Sequence, residues 1–287
     1  MKILVTGSNG LVGNALDRVL SRSEHKHINT ARTLGGISSE ILDITDYDSV
    51  EGVMKKFLPD VVINSAAMAN VDKCEEEREK CWSVNVDGVK NLVEACDKYG
   101  SHLVHISTDY IFDGKKEGGI YLEDDVPSPQ GVYAESKLAG EDVILSSGIS
   151  SSVLRTILVY GIHERHNIVT FVKDSLERGE QVSLVSDQVR MPTFVDDLAG
   201  ACLSAAEKKA GGVFNISGSE HMSYLDIGNT IAEHLSLDKS LIRHVKTSDL
   251  RQLAQRPLLT GFDLSRSRKI LNFSPTPFRD SLDLIFS

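Results

Sequence analysis

Tyr133 and Lys137 stand four residues apart, a spacing that places two side chains on one face of a helix. An ammonium group beside a phenol favours the phenolate and lowers the phenol pKa from its usual value of about 10. A tyrosine in that setting exchanges a proton with a substrate oxygen near neutral pH. Thr108 follows an apolar run and is predicted to hold that oxygen from the end of a strand. These three residue types predict a hydride-transfer centre.

The start of the chain has the order strand, glycine turn, helix. We predict a strand over Lys2–Thr6 and a helix over Asn14–Leu20. The turn between them consists of Gly7, Ser8, Asn9, Gly10, Leu11, Val12 and Gly13. Glycines let such a turn tighten and let backbone N–H groups approach a pyrophosphate, which the helix N-terminus attracts. The spacing is G-x-x-G-x-x-G, not the general G-x-G-x-x-G fingerprint, and a plain strand-to-helix turn is the alternative.

Two further apolar runs are predicted to be parallel strands. One covers Val61–Asn64, and the small residues Ala66 and Ala67 after it leave room for a cofactor. The other covers Leu103–Ser107 and presents Thr108. A long helix between them is predicted through residues 82–98. Strands that alternate with helices indicate an α/β fold with a doubly wound parallel sheet of the Rossmann type.

Beyond residue 156 the alternation is less regular, as expected of a smaller lobe. We predict strands over Val182–Val185 and Val213–Ile216 and a helix over Val195–Lys208. The resulting expectation is a dinucleotide-binding domain at residues 1–155, to which late strands return. Residues 156–287 are expected to form mainly a C-terminal substrate-binding lobe.

Arg32 follows the second predicted strand, where sites that prefer NAD usually carry an acidic residue. An arginine at that place suits the 2′-phosphate of NADP. A solvated surface charge is the alternative interpretation. Cofactor use is therefore predicted as NADP(H) preferred, with NAD(H) also compatible.

Composition excludes several classes of protein. The 287 residues carry a net charge of −10, whereas sequence-independent binding of nucleic acid needs clustered Lys and Arg. No apolar run approaches the ~20 residues of a membrane span, and the first residues do not resemble a signal peptide. No Cys pair has CxxC spacing and no His pair has HExxH spacing. We expect a reduced, cytoplasmic protein without metal, nucleic-acid or membrane partners.

Four segments occur in the order found in one known family. They are Ile63–Lys73 (INSAAMANVDK), Ser107–Gly114 (STDYIFDG), Ser136–Glu141 (SKLAGE) and Asp187–Thr193 (DQVRMPT). Together they resemble the dTDP-4-dehydrorhamnose reductase family, in the extended branch of the short-chain dehydrogenases/reductases. The resemblance implies reduction of a 4-keto group on a nucleotide-activated deoxysugar, as in dTDP-rhamnose biosynthesis. A nucleotide-sugar is the implied partner, and a homodimer is compatible with it.

The resemblance also implies roles for single residues. The implied catalytic residues are Thr108, Tyr133 and Lys137. The implied cofactor-binding residues are those of the turn Gly7–Gly13 with Asp43, Ile44, Ala66, Ala67, Met68, Asn85, Tyr133 and Lys137. Val71, Asp109, Tyr110 and Leu158 are expected to contact the substrate. Gln188 and Arg190 join them, because an acidic protein needs local positive charge to bind an anionic ligand.

The chain departs from the family in its substrate half. Leu158 stands where bacterial members have a tryptophan, and it lacks that broad ring face. Arg190 stands where the family has a glycine. Both departures concern the identity of the sugar more than the chemistry.

Two other functions stay open at this point. A nucleotide-sugar epimerase or dehydratase belongs to the same superfamily, but these enzymes often carry an acidic residue where Arg32 stands. The regulatory beta subunit of methionine adenosyltransferase resembles the same reductase family. The run Ile157–Gly161 is closer to that subunit, which binds a dinucleotide without needing to turn over a sugar.

Overall fold

The structure is a computed structural model and describes residues 1–286. Within them the β-strands are β1 (Lys2–Thr6), β2 (Lys26–Ala31), β3 (Glu40–Ile41), β4 (Val61–Asn64), β5 (His102–Thr108), β6 (Ile120–Tyr121), β7 (Ser151–Thr156), β8 (Val159–Tyr160), β9 (Val182–Val185), β10 (Val189–Arg190), β11 (Thr193–Phe194), β12 (Gly212–Ile216), β13 (Met222–Ser223), β14 (Ile242–Val245) and β15 (Gly261–Phe262). The α-helices are α1 (Leu11–Leu20), α2 (Tyr47–Phe57), α3 (Val71–Glu76), α4 (Arg78–Trp82), α5 (Gly88–Tyr99), α6 (Val132–Ser147), α7 (Ile168–Glu177), α8 (Val195–Lys208), α9 (Tyr224–His234), α10 (Ser265–Leu271) and α11 (Phe278–Phe286).

A parallel sheet forms the centre of the fold. Among residues 1–286 it has seven strands in the order β12-β7-β5-β4-β1-β2-β3. Every residue of β4 and β7 is buried, as expected of a parallel sheet with helices on both faces. The predicted doubly wound α/β class is confirmed.

Alternate residues of each central strand pack on opposite faces of the sheet. On β1, Ile3 and Val5 join the core cluster that contains Leu16 of α1. Leu4 lies between them in sequence and joins a second cluster with Leu92 of α5. The period of two in the strand thus gives each layer of helices its own apolar core.

The strand order changes direction between β1 and β4. Ligands of such sheets bind in the crevice outside the carboxyl ends of the strands at this switch point. Thr6 at the end of β1 pairs in register with Asn64 at the end of β4. The two following turns lie so close that a methyl group on Gly7 would be 2.7 Å from Cα of Ala66. Gly7 also has a φ of +67°, which a glycine adopts without strain.

The long helix predicted through residues 82–98 is interrupted. A π-helical turn over Ser83–Asp87 separates α4 from α5. There α6 approaches closely, and a methyl group on Gly140 would lie 2.6 Å from the carbonyl oxygen of Asn85. The contact depends on a residue 55 positions away, so the local pattern of apolar residues does not reveal it.

The second half of the chain contributes both to the main sheet and to smaller pairs of strands. β12 extends the sheet beside β7, while β9 pairs with β14 and β10 pairs with β13. The predicted boundary after residue 155 falls one residue before the end of β7 and stays a prediction. Within residues 1–286, no helix combines the length and apolar character needed to cross a membrane.

Candidate active site

Thr108 and Tyr133 meet at the carboxyl edge of the sheet. Thr108 is the last residue of β5, and its Oγ1 accepts a hydrogen bond from the N–H of Tyr110 at 3.2 Å. Tyr133 lies in the first turn of α6, where its phenol is close enough to the Thr108 side chain for that hydroxyl to lower its pKa. The ring of Tyr110 packs edge-on against Tyr133, with 5.6 Å between ring centroids. A hydroxyl and a phenol thus lie at the same edge of the sheet, and their catalytic roles stay a prediction.

The expected lowering of the Tyr133 pKa is wrong for this structure. Burial raises the pKa of Tyr133 above its usual value, and the nearby Thr108 hydroxyl opposes that shift only in part. The nearby Asp109 carboxylate raises it further. Desolvation disfavours the charged phenolate more than these neighbours stabilise it. Tyr133 is therefore a phenol at neutral pH.

Lys137 lies one helical turn after Tyr133 and is only 2% exposed. Its Nζ donates to the carbonyl oxygen of Ile106 at 2.8 Å and lies 3.0 Å from Nε2 of His105. Burial lowers the pKa of Lys137 to about 8, although Glu141 and Cys81 act to raise it. His105 has no place in the sequence-based site, where it is one residue of an apolar strand. In the sequence, only its position three residues before Thr108 indicates that His105 lies near the site.

The glycine turn is as tight as a pyrophosphate site requires. A methyl group on Gly13 would lie 2.4 Å from Cα of Ser8, and one on Gly10 would lie 3.3 Å from the carbonyl oxygen of Gly7. Asn9 ties the loop after β2 to this turn, because its Oδ1 accepts from the N–H of Ser38 at 3.2 Å. The turn, which continues through Leu11 and Val12 into α1, fits a dinucleotide whose phosphates need backbone N–H groups at close range.

Arg32 and Asp43 follow the second and third strands of the sheet. Arg32 follows β2 directly, and its side chain is exposed to solvent. Asp43 is held by Thr45, whose N–H and hydroxyl both donate to Oδ1 at 2.9 and 2.8 Å. Ile44 is 4% exposed and packs against Gly88. Arg32 is thus accessible to a ligand, whereas Ile44 is part of the core.

Asn85 secures the segment that follows β4. Its Oδ1 accepts from the N–H of Met68 at 2.9 Å, and its Nδ2 donates to the carbonyl oxygen of Met68 at 3.0 Å. The same amide nitrogen reaches Ser136 of α6 at 3.0 Å. Asn85 thereby holds the backbone after Ala66 and Ala67 against the helix that carries Tyr133. The structure gives it a positioning contact beside the predicted cofactor contact.

Arg190 and Gln188 face the protein interior. Arg190 is 1% exposed, donates to the carbonyl oxygens of Val189 and Pro257, and lies 3.7 Å from the carboxylate of Asp109. Burial raises the pKa of Asp109, and the Arg190 charge opposes that shift. Gln188 is also 1% exposed and donates to Thr247 at 3.0 Å. Contact of either side chain with substrate stays a prediction.

Val71 and Leu158 lie at chain positions where the backbone turns. Val71 is the first residue of α3 and is partly exposed. Leu158 follows β7 and has a φ of +39°, a left-handed conformation that is rare outside glycine. Strained residues of this kind concentrate at functional sites. Leu158, which replaces the family tryptophan, therefore also has an unusual backbone conformation.

Arg256 is a basic residue that the sequence-based site missed. Its Nη2 donates to Asp72 at 2.7 Å, next to Val71. Burial raises the pKa of Tyr110 and of Tyr224, and the Arg256 charge opposes both shifts. It also borders a cleft of about 330 Å³ whose lining includes Gln130 and Thr247. In the sequence it precedes Pro257 and lies outside the four segments that resemble the family. Arg256 therefore lies at the edge of this cleft in an ion pair with Asp72.

Known proteins resemble this chain along nearly its whole length. It matches the family described as the RmlD substrate binding domain over residues 1–287. It is 31% identical to a dTDP-4-dehydrorhamnose reductase of Aggregatibacter actinomycetemcomitans, covering 98% of this chain and 97% of that protein. It is 30% identical to the methionine adenosyltransferase 2 subunit beta of Bos taurus, covering 97% and 85%.

A solved structure supports the same relationship. The dTDP-4-dehydrorhamnose reductase of Bacillus anthracis, determined in complex with NADP, superposes with a TM-score of 0.91. The identity is 27%, and the alignment covers 99% of this chain and 98% of that one. A match along the whole length, together with the glycine turn and the Thr108–Tyr133 contact described above, leads to one conclusion. The chain belongs to the RmlD substrate binding domain family, in agreement with the resemblance to dTDP-4-dehydrorhamnose reductases that its sequence motifs show.

Proposed function

We propose that this protein is an NADPH-dependent reductase of the 4-keto group of a nucleotide-activated deoxysugar, similar to dTDP-4-dehydrorhamnose reductase. The contact between Thr108 and Tyr133 beside the switch point carries the proposal. In this proposal, Thr108 supplies a hydroxyl and Tyr133 a proton donor at the point where a bound dinucleotide would meet the sugar. A dinucleotide held by the glycine turn supplies the hydride.

Thr108, Tyr133 and Lys137 each have a separate role in the proposed reaction. Thr108 orients the substrate oxygen by a hydrogen bond from its hydroxyl. Tyr133 donates its phenolic proton to that oxygen as negative charge develops on it. The raised pKa of Tyr133 suits this direction of reaction, because only the protonated phenol is a general acid. Lys137, at the base of the site, stabilises the phenolate that remains.

Arg32 is proposed to select the cofactor. Its exposed guanidinium follows β2, and the loop beyond it is tied to the glycine turn through Asn9. A guanidinium recognises a phosphate through charge-assisted hydrogen bonds. NADP(H) is therefore the preferred cofactor, and NAD(H) lacks only the group that Arg32 binds.

For the substrate we propose contacts with Val71, Tyr110 and Leu158 around the sugar. Asp109 is the first residue of a short 3-10 turn that Thr108 caps, and we propose that it affects the substrate by holding Thr108 and Tyr110 in place. Arg256 borders the cleft in an ion pair with Asp72, just as Arg190 lies beside Asp109, and we propose that an anionic substrate contacts Arg256 there. We also propose a cytoplasmic homodimer whose residues 156–287 mainly form the substrate-binding lobe.

The test supplies NADPH with a panel of nucleotide-linked 4-keto sugars and follows nicotinamide absorbance. The Tyr133→Phe variant, which keeps the ring packing against Tyr110, is the matched blank. Loss of NADPH that requires both a sugar and Tyr133 supports the reductase. Silence across the panel, with NADPH bound normally, would favour the regulatory role suggested by the methionine adenosyltransferase subunits among the relatives.

A further inference from the structure

We infer that Glu75 is a positioning residue for Tyr133: its carboxylate binds the backbone at the start of α6 and fixes the first turn of that helix, where Tyr133 lies, against α3. The contact is independent of the proposed function, and only its catalytic consequence rests on that function. Glu75 lies in the last turn of α3, four residues after the predicted sugar contact Val71.

The helix α6 begins at a glycine, so its N-cap residue offers no side chain to the helix start. The N–H of Glu135 donates to the carbonyl oxygen of this glycine, Gly131, at 3.0 Å. The N–H groups that precede Glu135 in the helix therefore need acceptors from elsewhere. The N–H of Val132 donates to Oε1 of Glu75 at 2.9 Å. A side chain of α3 thus takes the place of a cap within α6.

Gly131 leaves the space that the Glu75 carboxylate occupies. A methyl group on Gly131 would lie 2.5 Å from Oε1 of Glu75, which is too close for atoms that are not bonded. Gly131 also has a φ of +96°, which a glycine adopts without strain. The backbone at the start of α6 therefore fits around this carboxylate.

The charge of Glu75 adds to the contact. The nearby Lys73 and Lys80 both pair with Glu77, at 3.2 and 2.8 Å. The first turn of a helix carries a partial positive charge, which stabilises a carboxylate placed there. A hydrogen bond from a backbone N–H to a carboxylate is also stronger than one to a neutral group. Glu75 therefore stabilises the start of α6 by its charge as well as by its position.

The other end of α3 is bound to the second half of the chain. Oδ1 of Asp72 accepts from the N–H of Ala254 at 3.0 Å, and Oδ2 accepts from Arg256 at 2.7 Å. Arg256 borders the cleft described above. Because Asp72 fixes the first turn of α3, Glu75 extends from a helix that is already held in place.

The consequence concerns the position of the Tyr133 phenol. Cys74 of α3 and Val132 share a buried apolar cluster, and Tyr133 packs against it. Tyr133 follows Val132 directly, so a shift of the Val132 backbone also moves the phenol. In the proposed reaction, a misplacement of about 1 Å can slow turnover roughly 10²-fold. Glu75 acts on Tyr133 through the backbone of Val132.

Glu135 provides the matched control. It lies in the same turn of α6 and pairs with Arg78 of α4 at 3.1 Å through exposed side chains. The experiment compares the whole wild-type chain with Glu75→Ala, Glu75→Gln and Glu135→Ala. NMR measures hydrogen exchange of the Val132 amide with no sugar present. Steady-state assays with NADPH and the panel of nucleotide-linked 4-keto sugars then measure kcat and KM.

In the wild-type protein, the hydrogen-bonded Val132 amide should exchange slowly. Glu75→Ala should speed that exchange at least ~10-fold, as expected for the loss of a hydrogen bond to a charged group. It should also lower kcat by about 10- to 100-fold with little change in KM, because the phenol is misplaced while both ligands still bind. Glu75→Gln keeps an acceptor at the same place and should restore most of both properties. Glu135→Ala should leave both near their wild-type values.

Rapid exchange of the Val132 amide in the wild-type protein would overturn the inference even if Glu75→Ala fails to fold. Equal effects of Glu75→Ala and Glu135→Ala would also overturn it, as would a wild-type kcat in Glu75→Ala. If the wild-type protein reduces no sugar, the proposed function fails, and the exchange measurement decides the contact by itself. Slow wild-type exchange that Glu75→Ala alone accelerates would then support the contact, and any other pattern would overturn it.

Discussion

Gly7→Ala tests the closeness of β1 and β4 at the switch point, and Gly100→Ala is its control. Both glycines have a φ of +67°, but within residues 1–286 nothing apart from the adjoining backbone lies within 4 Å of a methyl group on Gly100. A left-handed conformation costs an alanine roughly 1–2 kcal/mol, and the stiffer unfolded chain returns about 0.4–1 kcal/mol. Gly100→Ala should therefore lower the free energy of unfolding by about 1 kcal/mol.

Gly7→Ala adds a steric cost to the same backbone cost. Its methyl group would lie 2.7 Å from both Cα and N of Ala66 and 2.9 Å from the carbonyl carbon of Ser65. These are backbone atoms that cannot rotate away, so overpacking should add about 1–3 kcal/mol. Urea unfolding of the three proteins measures the difference, and NADPH titration should show weaker binding only in Gly7→Ala. Equal stability losses in the two variants would refute the close approach of the two turns.

Arg32→Ala should weaken NADPH binding by roughly 10- to 100-fold and leave NADH binding unchanged, because a hydrogen bond to a charged group contributes about 1.5–3 kcal/mol; equal affinities for the two cofactors in the wild-type protein would contradict this role. Glu141→Leu should cost about 3–5 kcal/mol in urea unfolding, since it leaves Arg155 buried and unpaired, whereas Glu177→Ala breaks an exposed pair and should cost less than about 1 kcal/mol. Burial lowers the pKa of His102 to about 4, so the unfolded chain binds the proton first as pH falls below about 6.5. Stability should fall by up to about 3 kcal/mol between pH 6.5 and 4, and His102→Gln should flatten that slope.

The strands and helices that the sequence predicts well are those that local pattern alone determines. β4, β9 and α8 begin and end at the predicted residues. Each is an apolar run or a regular amphipathic segment with clear breaks at its ends. The helix α9 likewise begins at a local signal, the capping box that Ser223 and Asp226 form.

The parts that the sequence did not predict depend on contacts between distant residues. The π-helical turn at Asn85 accompanies the approach of Gly140. An arginine such as Arg190 is normally expected at the surface, and only the fold shows that it lies beside Asp109, 81 residues away. His105 is likewise an ordinary strand residue until α6 places Lys137 on it.

The most direct test of the central claim follows the hydride itself. NADPH carrying deuterium at C4 of the nicotinamide is incubated with the protein and a nucleotide-linked 4-keto sugar, and the sugar is analysed by mass spectrometry. The proposed reductase predicts a product heavier by one deuterium at the former carbonyl carbon, formed at least ~10²-fold more slowly by Tyr133→Phe. Deuterium transfer at the wild-type rate in Tyr133→Phe, or no transfer to any sugar from bound NADPH, would contradict it.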